Sequence, residues 1–433
     1  MLARPTRFFH CASPVADAMD RHGGVASRYA PYPATDRFVE AFDSEAYGHW
    51  LANRRIGGIT RSLGLYVHIP LCDALCFYCA CTRIATRDHA KARKYAGYLA
   101  REIELVAAHL GGDRRISRMY WGGGTPTFFG DEESTRLMND IRSCFDLDPE
   151  GEYGIELDPR GVGAGRIATL ARLGFNRIRV GVRDFAPDVQ RHVDRLQSCA
   201  ETRAVIDAAR AHGFHSVDLE LSYGLPKQTA GAFGSTLEQV VECDPDRIAL
   251  NSLARWPAKH ELLLVAIRQL GEAGYEHVGV DQFAKPRRGP ARGAGDLIGL
   301  GVSAIGRIGP AYCQNARTLD EYCGRLDCGE LPVWRGIELR PDDLVRRAVI
   351  QALGREFMVS REAIGVAHLV DFDRYFAAEL RELASLAEDG LVQLEGEWIE
   401  VTLAGRPVVP VVCAAFDRYR RAARERTRCT PTL

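Results

Sequence analysis

Short β-type runs alternate with amphipathic helical stretches from about residue 60 to residue 285, and this alternation limits the fold more than any other feature of the chain. The strand-like runs are Leu65–Ile69, Arg118–Trp121, Tyr153–Leu157, Arg177–Gly181, Val217–Leu221, Arg247–Leu250 and Tyr275–Val280. Helical patterns lie between them. In Asp88–Leu110, for example, Tyr95, Leu99, Ile103, Val106 and Leu110 form one apolar stripe at a spacing of three to four residues. Glu201–His212 and His260–Gly271 read the same way. Repeated strand–helix units imply parallel strands joined by right-handed crossovers. About six units are expected, an α/β fold of the partial (β/α)6 TIM-like barrel type rather than a closed eightfold barrel. In such folds the loops at the carboxyl ends of the strands carry the site.

The pattern changes from about Pro341. Leu344–Leu353, Phe372–Leu380 and Leu383–Glu388 read as helices, and Leu391–Val401 as a hairpin around Glu395 and Gly396. The expected organisation is an N-terminal extension over 1–55, a barrel over 56–310, a connector over 311–340 and a mainly helical domain over 341–433 that ends in a winged-helix-like hairpin. That hairpin carries Glu395, Glu397 and Glu400, which would repel phosphate, and the net charge is −1. Nucleic acid is therefore not expected as a partner, and a lid over the substrate is the favoured role. Nowhere do about 18 apolar residues run uninterrupted, so no membrane helix is expected. The first twenty residues carry Arg4, Arg7, Asp17 and Asp20 and no apolar signal core. The 13 cysteines are odd in number and scattered along a long chain, which favours a reducing cytoplasm over a disulfide framework.

Three of those cysteines are not scattered. Cys72, Cys76 and Cys79 follow the strand Leu65–Ile69 at a C-x3-C-x2-C spacing, on the loop that Pro70 opens, with Cys81 two residues on. Thiolates suit zinc or iron–sulfur clusters, and spacing alone leaves a zinc knuckle open. Three ligands on a four-iron cluster would leave one iron free for an external ligand. Gly122-Gly-Gly-Thr125 ends the next strand and exposes backbone groups that a ligand can approach closely. Glu156 is a charge near the end of the apolar strand Tyr153–Leu157, where a buried carboxylate needs a partner.

The cysteine spacing resembles the radical S-adenosylmethionine (SAM) superfamily. Tyr66-Val-His68-Ile-Pro70 together with Cys81 resembles the oxygen-independent coproporphyrinogen III oxidase family, over residues of about 25 to 425. The resemblance implies that Cys72, Cys76 and Cys79 ligate a [4Fe-4S] cluster, and that Cys81 and Tyr66 serve catalysis. It places Tyr66, Tyr78, Gly123, Glu156 and Ile305 at SAM sites. It gives Gly124, Thr125, Arg195 and Ala254 to a second SAM. That second site departs from the family pattern. Arg183 stands where the family carries glutamine, and Glu220 replaces an aspartate. Asn251–Trp256 also differs, and the stretch 286–295 is shorter than the family's insert. We therefore expect one tightly bound SAM and a second bound weakly or not at all.

The implied activity is the conversion of coproporphyrinogen III to protoporphyrinogen IX. An electron from the cluster cleaves SAM, the resulting 5′-deoxyadenosyl radical takes hydrogen from a propionate, and loss of CO2 and an electron leaves a vinyl group, twice per molecule. A tetrapyrrole substrate and an electron donor such as flavodoxin or ferredoxin are implied, for a cytoplasmic monomer. The altered second site keeps two alternatives in view: other radical chemistry, such as methylation, or a haem carrier. Cys81 argues against the carrier.

Overall fold

The structure is a computed structural model that describes residues 12–26, 32–54, 62–74, 83–252, 259–286 and 295–421. Six strands form its centre: β1 (Leu63–Ile69), β2 (Arg115–Gly123), β3 (Asp146–Leu157), β4 (Arg177–Arg183), β5 (Ser216–Tyr223) and β6 (Arg247–Ser252). All six pair in parallel, in chain order, with helices in the crossovers. This is the expected α/β arrangement of six units.

The seventh expected strand behaves differently. Tyr275–Val280 gives β7 (Glu276–Gly279), which turns back through β8 (Gln282–Ala284), and β8 runs antiparallel to β6. It closes one edge instead of adding a parallel unit. On the other side, β9 (Asp296–Leu300) pairs in parallel with β1. Three antiparallel strands continue from it: β10 (Ile305–Ile308), β11 (Ala311–Asn315) and β12 (Val333–Glu338). The whole is a 12-stranded sheet whose two edge strands, β12 and β7, lie at opposite ends of the strand order. Residues 311–340, read from the sequence as a connector, carry two of these strands and the helix Leu319–Asp327.

Side-chain alternation along the parallel strands divides apolar from polar residues. Val67, Trp121, Ile155, Val180 and Leu219 are buried in the main core. Their neighbours Tyr66, Tyr120, Glu156, Arg179 and Glu220 are polar and alternate with them along the same strands. The flanking helices have firm starts. Asp88 caps His89–Leu110 by accepting from the Ala90 N–H at 2.9 Å, and Ser198 with Glu201 forms a capping box before Cys199–Ala211.

The C-terminal region carries Pro341–Glu356 and Ala377–Glu388 among its helices. It also has a three-stranded sheet in which Val392–Gln393 and Trp398–Val401 form the expected hairpin. The chain does not end there, because the helix Val409–Ala415 follows. At the N-terminal side, the extension expected over 1–55 holds two helices, Ala12–Ala26 and Ser44–Ala52, among its described residues. The first reaches the C-terminal region, where His22 Nε2 lies 2.9 Å from Asp389 Oδ2. Val39 pairs with Gly336 on the edge strand β12. Among the described residues no helix is long and apolar enough to cross a membrane.

Candidate active site

The end of β1 and the glycine turn after β2 are laced together. The Gly124 N–H donates to the Ile69 carbonyl at 2.8 Å, and the Thr125 N–H donates to that of Leu71 at 2.8 Å. Leu71–Cys72 pairs in turn with Ile84–Ala85, which anchors the far side of the cysteine loop. The glycines are required by this closeness. A Cβ at Gly124 would lie 2.7 Å from the Pro70 carbonyl carbon, and one at Gly123, whose φ is +111°, would lie 2.6 Å from the His68 ring. Cys72 is buried beside this turn, with the Thr125 hydroxyl donating to its sulfur at 3.5 Å. Cys76, Tyr78, Cys79, Cys81 and Ala254 lie outside the described residues.

Glu156 faces the same turn from β3. One carboxylate oxygen accepts from the Tyr120 hydroxyl at 2.9 Å and the other from the Gly123 N–H at 3.3 Å. Arg179 approaches it at 4.0 Å. Burial, and then the nearby Glu220 charge, push the Glu156 carboxyl above its ordinary range in spite of these partners. A cation arriving here would be welcomed. Tyr66 stacks on Tyr120 with ring centroids 6.5 Å apart, and its hydroxyl lies 3.0 Å from His68 Nδ1. Ile305, at the start of β10, lines a cavity of about 420 Å³ together with Tyr120 and Arg179.

The residues assigned by resemblance to a second SAM engage protein partners. Arg183 forms an ion pair with Glu220. Its backbone is left-handed, with φ at +70°, beside an irregularity in the β4–β5 pairing. Arg195 is buried and holds Asp158 at 2.9 Å and the Gly181 carbonyl at 2.9 Å. Asp158 also accepts from the Arg160 N–H and guanidinium, and these arginines keep its carboxyl below the usual range against burial.

Sequence reasoning singled out Glu156 but missed Tyr120 and Arg179. A signal was present. Arg177, Arg179 and Arg183 alternate with Ile178, Val180 and Val182, which marks a strand with one charged face.

A strand–helix barrel whose first strand leads into a cysteine loop clasped by a glycine turn defines the radical SAM class. The sequence profile of the radical SAM superfamily matches residues 66–240. The chain is 38% identical to the oxygen-independent coproporphyrinogen III oxidase of Pseudomonas aeruginosa, over 93% of this chain and 95% of that one. It is 37% identical to that of Escherichia coli, over 91% and 93% respectively. A solved structure, the E. coli coproporphyrinogen III oxidase described as a radical SAM enzyme, superposes with a TM-score of 0.85 at 36% identity, covering 91% of this chain and 98% of that one. The chain belongs to the oxygen-independent coproporphyrinogen III oxidase family. A [4Fe-4S] cluster and SAM are the cofactors of a radical SAM protein, and the local chemistry fits them. A buried thiol closes one side of the glycine turn, and the Glu156 carboxyl, which accepts from the Gly123 N–H and which burial holds above its ordinary range, closes the other.

Proposed function

We propose that this protein catalyses the oxygen-independent oxidative decarboxylation of coproporphyrinogen III to protoporphyrinogen IX. The observation that carries the reading is the clasp between the glycine turn and the end of β1, with Glu156 set against it, in a chain related to such oxidases over nine-tenths of its length. When bound, the cluster and SAM supply one-electron reduction and hydrogen abstraction. Cys72, Cys76 and Cys79 would hold the cluster, and Cys81 would lie on the substrate side. Glu156 would hold the SAM ammonium group, since a positive neighbour lowers a carboxyl raised by burial. Gly123 leaves room for close backbone approach, Tyr66 packs behind Tyr120, and Ile305 gives an apolar contact.

Gly124 and Thr125 belong with Arg183, Arg195, Glu220 and Ala254 to the second SAM position. The Arg183–Glu220 pair and the Arg195–Asp158 pair support one tight SAM and a second bound weakly or not at all. Residues 56–310 would carry the chemistry, with 1–55 as an extension, 311–340 joining the parts and 341–433 covering the substrate. A flavodoxin or ferredoxin would reduce a cytoplasmic monomer.

Product analysis after anaerobic reconstitution with SAM and coproporphyrinogen III tests the reading. Protoporphyrinogen IX is expected. SAM cleavage without that product would overturn it in favour of other radical chemistry. Equilibrium dialysis counts the SAM molecules, and two tight sites would overturn the second-site reading alone.

A further inference from the structure

Cys199 and Cys243 lie 44 residues apart in the chain, yet their sulfurs are 3.8 Å apart. Both thiols are free. Cys199 opens the helix Cys199–Ala211, which precedes β5, and Cys243 caps the end of the helix Ala230–Glu242, which follows β5. The crossovers on either side of one strand therefore meet through a pair of thiols. A disulfide holds its sulfurs at about 2.05 Å, so a closure of about 2 Å would join them.

The two thiols differ in reach. Cys243 is 2% exposed. Cys199 is half-buried and lines a surface groove of about 460 Å³ together with Gln197, Ser198 and Gln239. Gln197 Oε1, in the same groove wall, is buried with no hydrogen-bond partner and leaves an acceptor for an incoming amide N–H. Burial, and then the Cys199 thiol, push the Cys243 thiol above its ordinary range. The Arg203 guanidinium hydrogen-bonds the Cys243 sulfur and works against that shift. A reachable thiol beside a buried one that touches a cation is the arrangement of an attacking and a resolving cysteine.

We propose that Cys199 and Cys243 form a thiol–disulfide exchange site, which takes a low-molecular-weight peptide disulfide such as oxidised glutathione in the groove and ends as a reversible cross-link between the two helices. Cys199 loses its proton to solvent, and its sulfur attacks one sulfur of the incoming disulfide. That S–S bond breaks, and one thiolate leaves and takes up a proton. Cys243 then gives up its proton and attacks the Cys199 sulfur, with Arg203 facing the charge that forms. The mixed S–S bond breaks and the second thiol leaves. Two protein thiols have lost two electrons, and one disulfide has become two thiols. The cross-link would brace β5 between its two crossovers. The proposal does not depend on which substrate the protein takes.

The test equilibrates the anaerobically reconstituted protein in glutathione buffers from fully reduced to fully oxidised. Free thiols are then alkylated, and the digested protein is mapped by mass spectrometry. In oxidised buffer the peptides of Cys199 and Cys243 should appear linked, and dithiothreitol should return both to alkylatable thiols. Cys243→Ser should retain glutathione on Cys199, because the resolving thiol is gone, whereas Cys199→Ser should leave Cys243 unmodified. The link is read on the wild-type protein, so a variant that folds poorly does not decide the matter. Full alkylation of both wild-type thiols in the most oxidising buffer would overturn the proposal. So would a wild-type protein that keeps glutathione on Cys199 at equilibrium, because Cys243 would then not resolve it.

Discussion

Replacing Glu102 with alanine should destabilise the protein by about 4 kcal/mol. Glu102 lies on the helix His89–Leu110 and is 1% exposed. One carboxylate oxygen accepts from the Gly301 N–H at 2.6 Å and the Tyr322 hydroxyl at 2.5 Å, and the other from the Asn315 amide at 2.6 Å. Asn315 keeps a second bond to the Gly301 carbonyl at 2.9 Å, so alanine orphans two donors. Each buried orphan costs about 1–3 kcal/mol, and the lost methylene adds about 0.8 kcal/mol. Beside this knot, Tyr95 donates to the His68 carbonyl at 2.8 Å, so the loss also loosens the end of β1. Guanidinium denaturation of the anaerobic apoprotein, followed by tryptophan fluorescence, measures the change. A loss below about 1 kcal/mol would refute the assignment, because it would show that the donors find other partners.

A pH arm sharpens the test. Burial pushes the Glu102 carboxyl from 4.5 up to about 7, against the pull of its three donors. The unfolded chain therefore ionises before the folded one. Its contribution is present in full below pH 4.5 and is lost as pH rises towards about 7. At about 1.4 kcal/mol for each pH unit of separation, the wild type should lose about 3 kcal/mol relative to Glu102→Gln across that range. A flat difference would refute this.

Three further outcomes are expected. Glu156→Ala should lower reductive SAM cleavage by about a hundredfold or more while iron content stays at the wild-type level, and cleavage at the wild-type rate would remove Glu156 from the SAM site. Gly124→Ala puts a Cβ 2.7 Å from the Pro70 backbone, so iron retained after anaerobic reconstitution should fall, and full occupancy would show that the turn can move aside. Burial, and then Arg406, hold His277 down at about 3 from 6.5. The unfolded chain then takes up the proton first, so stability should fall as pH drops from about 6.5 towards 3, and His277→Phe should flatten that slope in acid denaturation.

Much of the fold is legible in the chain because strands and helices announce themselves by local period. The six parallel strands, the helices between them and the hairpin around Glu395 and Gly396 follow from alternation, apolar stripes and turn residues. The glycine turn and the strand-end carboxylate Glu156 are legible too, since each breaks the pattern around it. Strand boundaries grew on pairing, as when Arg118–Trp121 became Arg115–Gly123, because ladder hydrogen bonds extend beyond the residues of strongest propensity.

Other features depend on groups far apart in sequence. Glu102 lies three residues after Leu99 on an apolar stripe, and its partners Gly301, Asn315 and Tyr322 come 199, 213 and 220 residues later. The antiparallel extension β10–β12 escaped notice because short strands gain their definition from pairing partners rather than from composition. The Arg183–Glu220 pair likewise needs β4 and β5 side by side before its charges meet. Local periodicity records which face of an element is buried. Only tertiary structure decides which charges share that space, because electrostatic and hydrogen-bond energies depend on distances that the order of residues along the chain does not contain.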